Sequence, residues 1–499
     1  MNIDNNKKGS KIVVSAIVSI GAILGVSLFL YAINAPFNLD GMYAALSNPI
    51  STADQKSISL TSMNLKVQAQ EGNNNDTEND SDTTSNTSPF NLKETAEESN
   101  YLATSSTTRI AGNDYYSTAT AISQMIYPAI NDYTRPNAVI LVSVDEPAVA
   151  LTSVGIIHHP IDAPILYTDK DKLPEVTKEE IKRLKPDGIP VVDNAQVMMI
   201  GNISDNVYNV LSKEMGLKIF RITGDTPIDI SSNVDEFMST MHTDHRDEIM
   251  IANVDSLDYA LYAQAWNAHM GHGFLYVTDK GIPEPTRQQL EKRFGGAYIY
   301  LLGDEKVISQ KIADELAQYG HVTRIPGNNP FEMSAKFAGF KDMGNNYGFW
   351  IGEMARNFGW GLAEAGHNFA LVNPDHPQDA VPASILSHRG KHGPMLLVNE
   401  NDIPKPIEGY LKTVQPSLTD SREQLFNHGW IIGPPSHISV ENQAKLDYLL
   451  SPLSEQQQAQ AQTVSAATVP SNNNNTANNS TISEVTTSTT PVNGGNNSR

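Results

Sequence analysis

RIAGNDYYSTA, residues 109–119, opens a pattern that the chain writes three times: RITGDTPIDIS follows at 221–231 and RIPGNNPFEMS at 324–334. Longer stretches travel with the three marks. After the first comes NAVILVSVDEPAVAL (137–151), after the second DEIMIANVDSLDYAL (247–261), and after the third NFALVNPDHPQDAVP (368–382). Asp145 to Asp169, Asp255 to Asp279 and Asp375 to Asn399 are each 24 residues apart. Each unit then closes on an apolar run, a glycine and a helix-like segment: VMMIG (197–201), AYIYLLG (297–303) and GWIIG (429–433). A period above 100 residues is too long for a solenoid unit and points to a triplicated domain.

Within the first unit the hydrophobic pattern alternates in kind. A β-branched run at 139–144 ends in an acidic turn, a helical stretch covers 148–158, and a second run at 165–167 leads to the helix of EVTKEEIKRLKP. A third run at 197–200 meets Gly201, and Ser204 stands where a helix N-cap is expected. Strands alternating with helices of this length mean βαβ crossovers and a parallel sheet covered on both faces, here three times over.

Outside these units the composition changes. Lys7, Lys8 and Lys11 precede an uncharged run from Ile12 to Ile33, long enough at 1.5 Å per residue to span about 30 Å of hydrocarbon. The lysine asymmetry directs the following residues outward. The expectation is a signal anchor with the bulk of the chain extracellular; a cleaved signal peptide is the alternative. Asn/Ser/Thr/Gln-rich tracts before residue 108 and after residue 453 lack the apolar mass to offset chain entropy. Seven of eight Asn-x-Ser/Thr sequons fall in those tracts, leaving Asn202 alone in the body and suggesting a glycoprotein. The organisation expected is a cytoplasmic start (1–11), a transmembrane helix (12–33), a juxtamembrane and low-complexity linker (34–108), repeat 1 (109–220), repeat 2 (221–323), repeat 3 (324–452) and a disordered tail (453–499).

The chain carries 35 Lys+Arg against 56 Asp+Glu, and the body alone is about −15, with 28 basic and 43 acidic residues. Such a surface repels phosphate backbones, which argues against nucleic acid as a partner. With no cysteine, thiolate metal sites, thiol catalysis and disulfides are excluded together. No Gly-x-Ser-x-Gly elbow, Walker loop or Gly-x-Gly-x-x-Gly after a strand is present, so no enzyme activity and no cofactor are expected.

The first repeat, with RIAGNDYYSTA, PILYTDKDKLP (164–174) and the closing MIGNIS (199–204), resembles the cell wall-binding repeat 2 family, and the likeness extends over 109–452. It implies three tandem flavodoxin-like or Rossmann-like α/β units in a pseudo-threefold arrangement. It also implies non-catalytic attachment to a cell-envelope polymer, polysaccharide or glycoprotein, with grooves between neighbouring units. Where that family has Arg-Tyr, this chain has Tyr115-Tyr116 and Pro330-Phe331, losing a cation each time.

Arg109, Arg221 and Arg324 are the candidate ligand-binding cations, each read as following a strand, where open parallel sheets carry ligand loops. Their other reading is pairing with the acidic turns at Asp145, Asp255 and Asp375, which are themselves candidate ligand contacts. Asp169 and Asp279 share the strand-to-helix position; helix capping explains these acids more simply than a Ca²⁺ site, since no alternating ligand loop is present. His242/His245, His269/His272 and His388/His392 have ligand-like spacing, but no third ligand repeats nearby and no metal is assigned. Trp350 and Trp360 stand in an additional stretch of repeat 3, as core or as sugar-stacking faces. An envelope hydrolase or transferase on the same units and a ligand-sensing ectodomain are the competing functions.

Overall fold

The computed structural model describes residues 103–242, 247–344, 357–418 and 424–453. The anchor read at 12–33, the linker through residue 102, the tail beyond 453, His245 and Trp350 lie outside the described residues. Among the described residues no helix is long and apolar enough to cross a membrane.

In chain order the strands and helices are β1 (Thr107–Ile110), α1 (Tyr115–Ile126), β2 (Val139–Ser143), α2 (Pro147–Thr152), β3 (Ile165–Thr168), α3 (Glu175–Leu184), β4 (Val197–Ile200), α4 (Asp205–Asn209) and β5 (Ile219–Ile222). The second round is α5 (Pro227–His242), β6 (Glu248–Asn253), α6 (Gln264–Met270), β7 (Gly273–Val277), α7 (Glu284–Glu291), β8 (Ala297–Leu302), α8 (Gln310–Leu316) and β9 (Gly320–Arg324). The third is α9 (Pro330–Gly339), β10 (Asn368–Val372), α10 (Pro377–Ala383), α11 (Ile385–His388), β11 (Met395–Leu397), α12 (Lys405–Thr413), β12 (His428–Ile432) and α13 (Val440–Leu450). The helix read over 148–158 is shorter, continuing as a 3₁₀ turn at Ser153–Ile157.

Three four-stranded sheets result, ordered β3-β2-β4-β5, β7-β6-β8-β9 and β11-β10-β12-β1, with every pair parallel. All residues of β2, β3 and β4 are buried, as a sheet covered on both faces requires. The fourth strand of each sheet carries the motif arginine and lies across the point where the motif divides the chain. In the third sheet that place is taken by β1, which pairs with β12 from more than 300 residues away. The beginning of the body thus completes the sheet at its end.

The motif's chemistry is now readable. Its Ile is buried each time (Ile110, Ile222, Ile325). Its Gly lets the incoming helix start close by: a Cβ on Gly112 would sit 2.3 Å from Ser117 Oγ, and one on Gly327, at φ +141°, 2.4 Å from Met333. The next letters cap that helix. The Asp114 carboxylate accepts from the Ser117 N–H, Thr226 and Asp229 bond reciprocally, and Asn329 accepts from the Glu332 N–H. Ser204, at the N-cap of α4, makes no such side-chain bond.

Contacts between repeats recur cyclically: α1 packs on α10, α5 on α2, and α9 on the 3₁₀ turn Leu261–Ala263. The short helices after each first strand meet at the centre, α6 lying against both α11 and the Ser153–Ile157 turn. One apolar cluster, including Val154, Ile157, Leu261, Trp266, Ile385 and Leu386, runs through all three repeats.

Two glycines allow a clear comparison. A Cβ at Gly320, the first residue of β9, would lie 1.9 Å from the Ala297 carbonyl oxygen, whereas Gly409 in α12 faces nothing within 4 Å. Gly320→Ala is expected to cost about 2–3 kcal/mol by forcing two paired strands apart, and Gly409→Ala to stabilise by roughly 0.5–1 kcal/mol. Urea midpoints of the two variants check this; equal midpoints would contradict the strand register.

Candidate functional site

At the carboxyl ends of the strands each repeat turns at a glycine. β4, β8 and β12 run into Gly201, Gly303 and Gly433, all with positive φ. The motif arginine of the adjoining strand reaches under that turn. Arg324 Nη1 donates to the Gly303 carbonyl at 2.7 Å. Arg221 donates to the Ile203 carbonyl at 2.6 Å and to Asp205 Oδ1 at 2.7 Å. Arg109 goes furthest: Nε donates to Gln443 Oε1 (3.1 Å), Nη1 to the Gly433 carbonyl (2.7 Å) and Nη2 to the Ile438 carbonyl (2.6 Å), with 0% of the residue exposed. Burial lowers its pKa to about 10, and nearby Asp379 opposes that shift.

These positions differ from the sequence reading. The arginines lie within their strands, not after them, and bind loop carbonyls; Arg221 meets Asp205 in place of an acidic turn. The reason is register. Parallel pairing sets Arg109 beside Ile431, Arg221 beside Met199 and Arg324 beside Leu301, two residues short of each glycine, from which the fork reaches the turn.

Asp145, Asp255 and Asp375 occupy equivalent exposed turns after β2, β6 and β10. None is a helix cap: the N-cap falls to Glu146, Ser256 and His376, without a side-chain cap bond. The Asp255 and Asp375 N–H groups donate to Asn253 and Asn373 Oδ1, each 3.0 Å, while those asparagines donate to the Val307 and His437 carbonyls at 2.8 Å. Ser143 holds the corresponding place in repeat 1, and its Oγ has no hydrogen-bond partner among the described residues. The equal 24-residue spacing proves partly coincidental. Register and the turn bonds Asp169→Lys172, Thr278→Gly281 and Asn399→Asp402 make Thr278, not Asp279, the equivalent of Asp169.

Where repeat 3 meets repeat 1, the turns carry a polar cluster. Asp379 Oδ2, fully buried, lies 2.6 Å from His437 Nδ1. His437 stacks on His376 with centroids 3.5 Å apart and planes 11° from parallel. His376 Nδ1 is 2.8 Å from the Tyr115 hydroxyl, and the Tyr115 ring lies 5.5 Å from His437. Alongside, the Tyr116 hydroxyl donates to Asp169, and the Tyr167 hydroxyl donates to the Gln378 carbonyl across the seam at 2.8 Å. Burial, then the neighbouring His437, lowers the His376 pKa; burial, then Asp379, raises that of Tyr115. The cluster is thus a neutral phenol–imidazole edge backed by a carboxylate-oriented imidazole, a set of donors and acceptors suited to a polar chain.

Arg109 belongs to this site from beneath. Two of its bonds grip Gly433 and Ile438, the ends of the loop that presents His437. The cluster is legible only by comparing repeats: His437 stands where repeat 2 has Val307, and Asp379 where repeat 1 has Val149 and repeat 2 has Tyr259. Polar substitution against the repeat pattern is the signal that single motifs miss. Among the described residues no group of three or more His, Asp or Glu is placed to hold a metal ion. Trp360 is buried core, stacked on His269.

No family model matches the sequence. The chain is 26% identical over 229 residues to an amidase enhancer of Bacillus subtilis (strain 168), covering 46% of this chain and 29% of that protein. It is 25% identical over 239 residues to N-acetylmuramoyl-L-alanine amidase LytC of the same organism, covering 47% of this chain and 43% of the relative. The chain therefore spans less than half the length of either curated relative. Among solved structures, Cwp6 from Clostridium difficile superposes with a TM-score of 0.55 at 20% identity, over 69% of this chain and 48% of that one. Cwp8 from Clostridium difficile gives 0.53 at 18%, over 69% and 52%. Those two likenesses establish the shared fold.

Proposed function

We propose that this chain is a non-catalytic cell-envelope binding module that holds a surface polymer at the seam between repeats 3 and 1. One observation carries the reading: a stretch of 229 residues of this chain matches a protein named for enhancing an amidase, and a stretch of 239 residues matches an amidase. Likeness to both an amidase and an amidase enhancer is more economically explained by a targeting part than by a catalytic one. The seam supplies the geometry, with Tyr115, His376 and His437 on its face and the exposed carboxylates Asp145 and Asp375 beside it. Arg109, Arg221 and Arg324 act in this reading as positioning residues that hold the binding turns, since each donates to a carbonyl of its turn. The module works outside the cell, tethered through residues 12–33, and the bound polymer is a polysaccharide or glycoprotein of the envelope.

Co-sedimentation of the purified chain with isolated envelopes tests this. Stoichiometric pelleting without released fragments supports binding; release of sugar or peptide by sub-stoichiometric protein favours the hydrolase that the amidase relative keeps in view. His437→Ala combined with Tyr115→Phe is expected to weaken pelleting at least about tenfold, the effect of losing two buried-edge hydrogen bonds of about 1 kcal/mol or more each. Undiminished pelleting by that variant would move the site elsewhere.

A further inference from the structure

On the seam between repeats 2 and 3, the last turn of α6 and the segment between α11 and β11 bring together two histidines that sequence spacing had assigned to separate pairs. His269 Nε2 and His392 Nε2 lie 3.1 Å apart. Their neighbours in those pairs turn elsewhere: His272 is buried against Trp266 and Phe358, and His388 Nε2 faces Asp162 Oδ1 at 3.5 Å.

We propose that His269 and His392 form a two-imidazole site for a first-row divalent metal ion of the Zn²⁺ or Cu²⁺ type, bridging repeats 2 and 3. The separation is what coordination demands. Two nitrogens each about 2.0–2.1 Å from one ion stand roughly 3.4 Å apart at a tetrahedral angle and roughly 2.9 Å apart at a right angle. The observed distance falls between these values. Without an ion, the same distance requires one ring to donate its Nε2–H to the other. An ion replaces that proton once the donor ring takes its Nδ1–H tautomer, so no net charge is lost from the pair.

The rings are held before any ion arrives. Trp360 lies nearly parallel to His269 (centroids 5.9 Å, 20°) and edge-on to His392 (4.9 Å, 74°), and Trp266 packs against His269 at 5.8 Å. His392 is exposed, leaving the remaining coordination positions to water or to an oxygen ligand from solvent. Imidazole ligands suit Zn²⁺, Cu²⁺ and Ni²⁺ and not Ca²⁺ or Mg²⁺. The Lys341 ammonium, over the Trp266 ring and donating to the Gly359 carbonyl, opposes a cation and sets the site's affinity below that of a three-ligand centre.

The test uses the 499-residue chain without an added histidine tag, titrated with Cu²⁺ at neutral pH. Electron paramagnetic resonance of the wild-type protein at one equivalent is expected to show two equatorial nitrogens, and calorimetry one site that His392→Gln weakens at least about tenfold, as loss of a direct ligand should. His321→Gln, an exposed histidine in β9, is the control and is expected to titrate as wild type. A single-nitrogen signal in the wild type, or indistinguishable titrations of wild type and His392→Gln, would overturn the assignment. The spectrum needs no variant, so the proposal stays falsifiable even if the substitution disturbs folding.

Discussion

Arg109→Ala is expected to destabilise the body by about 3–5 kcal/mol, from losing three hydrogen bonds of a buried charged donor at about 1–2 kcal/mol each. The side chain has no exposed surface, and all three of its bonds go to groups that lie in the interior or at the seam. Its loss removes the charged donor from the buried Gly433 and Ile438 carbonyls. It also loosens β1, the strand that completes the third sheet. Arg324→Ala removes one bond to the Gly303 carbonyl from a half-buried position and is expected to cost about 1–2 kcal/mol. Arg109→Lys keeps the charge but not the fork, and is expected to fall between. Denaturant midpoints of the three variants check the order. If Arg109→Ala were no worse than Arg324→Ala, the buried fork would not be what holds the closing strand.

Acidification is expected to weaken the fold between pH 6.5 and about 4. Burial lowers the pKa of His269 to about 4, and lowers those of His392, His376, His367 and His428 below the ordinary histidine value. The unfolded chain, with histidines near 6.5, therefore takes up protons first. Stability rises with pH where the unfolded state binds more protons, so this contribution is complete above pH 6.5 and lost as pH falls towards the native values. His269 is only half-buried, so screening reduces its share to roughly 1–2 kcal/mol. Asp162 acts in the same direction at lower pH: burial would raise its pKa, but bonds from His388 and Arg389 outweigh that and hold it below the usual aspartate value. Urea midpoints measured from pH 7.5 to 4 should fall. In His269→Gln the slope over this window should flatten, whatever that variant's stability at pH 7.5. An unchanged slope would mean that the ring is solvated in the native state.

How much was legible beforehand follows from which residues carried the signal. Three Arg-Ile-x-Gly marks and three apolar runs ending in glycine announced three parallel-sheet units, because βαβ alternation and helix caps are local and leave a periodic trace. For the same reason the sequence marks the acidic turns at 145, 255 and 375 as lying between strand and helix. A capping role is not theirs, since the helix begins one residue later. The arginines illustrate the limit: their type and spacing were plain, but their direction was set by which strand pairs with which. His437 and Asp379 gave no local sign, being ordinary residues until set against Val307 and Val149 in the sister repeats.

Sequence alone determined that this chain builds three similar α/β repeats on an acidic, cysteine-free body, since hydrophobic period, turn residues and composition act within a few residues of one another. Only the tertiary structure decided that β1 completes the third sheet, that each motif arginine reaches a turn carbonyl, and that Tyr115 meets His376 and His269 meets His392. Those meetings join residues more than 100 positions apart. They depend on strand order and on how the repeats pack, which no local pattern encodes.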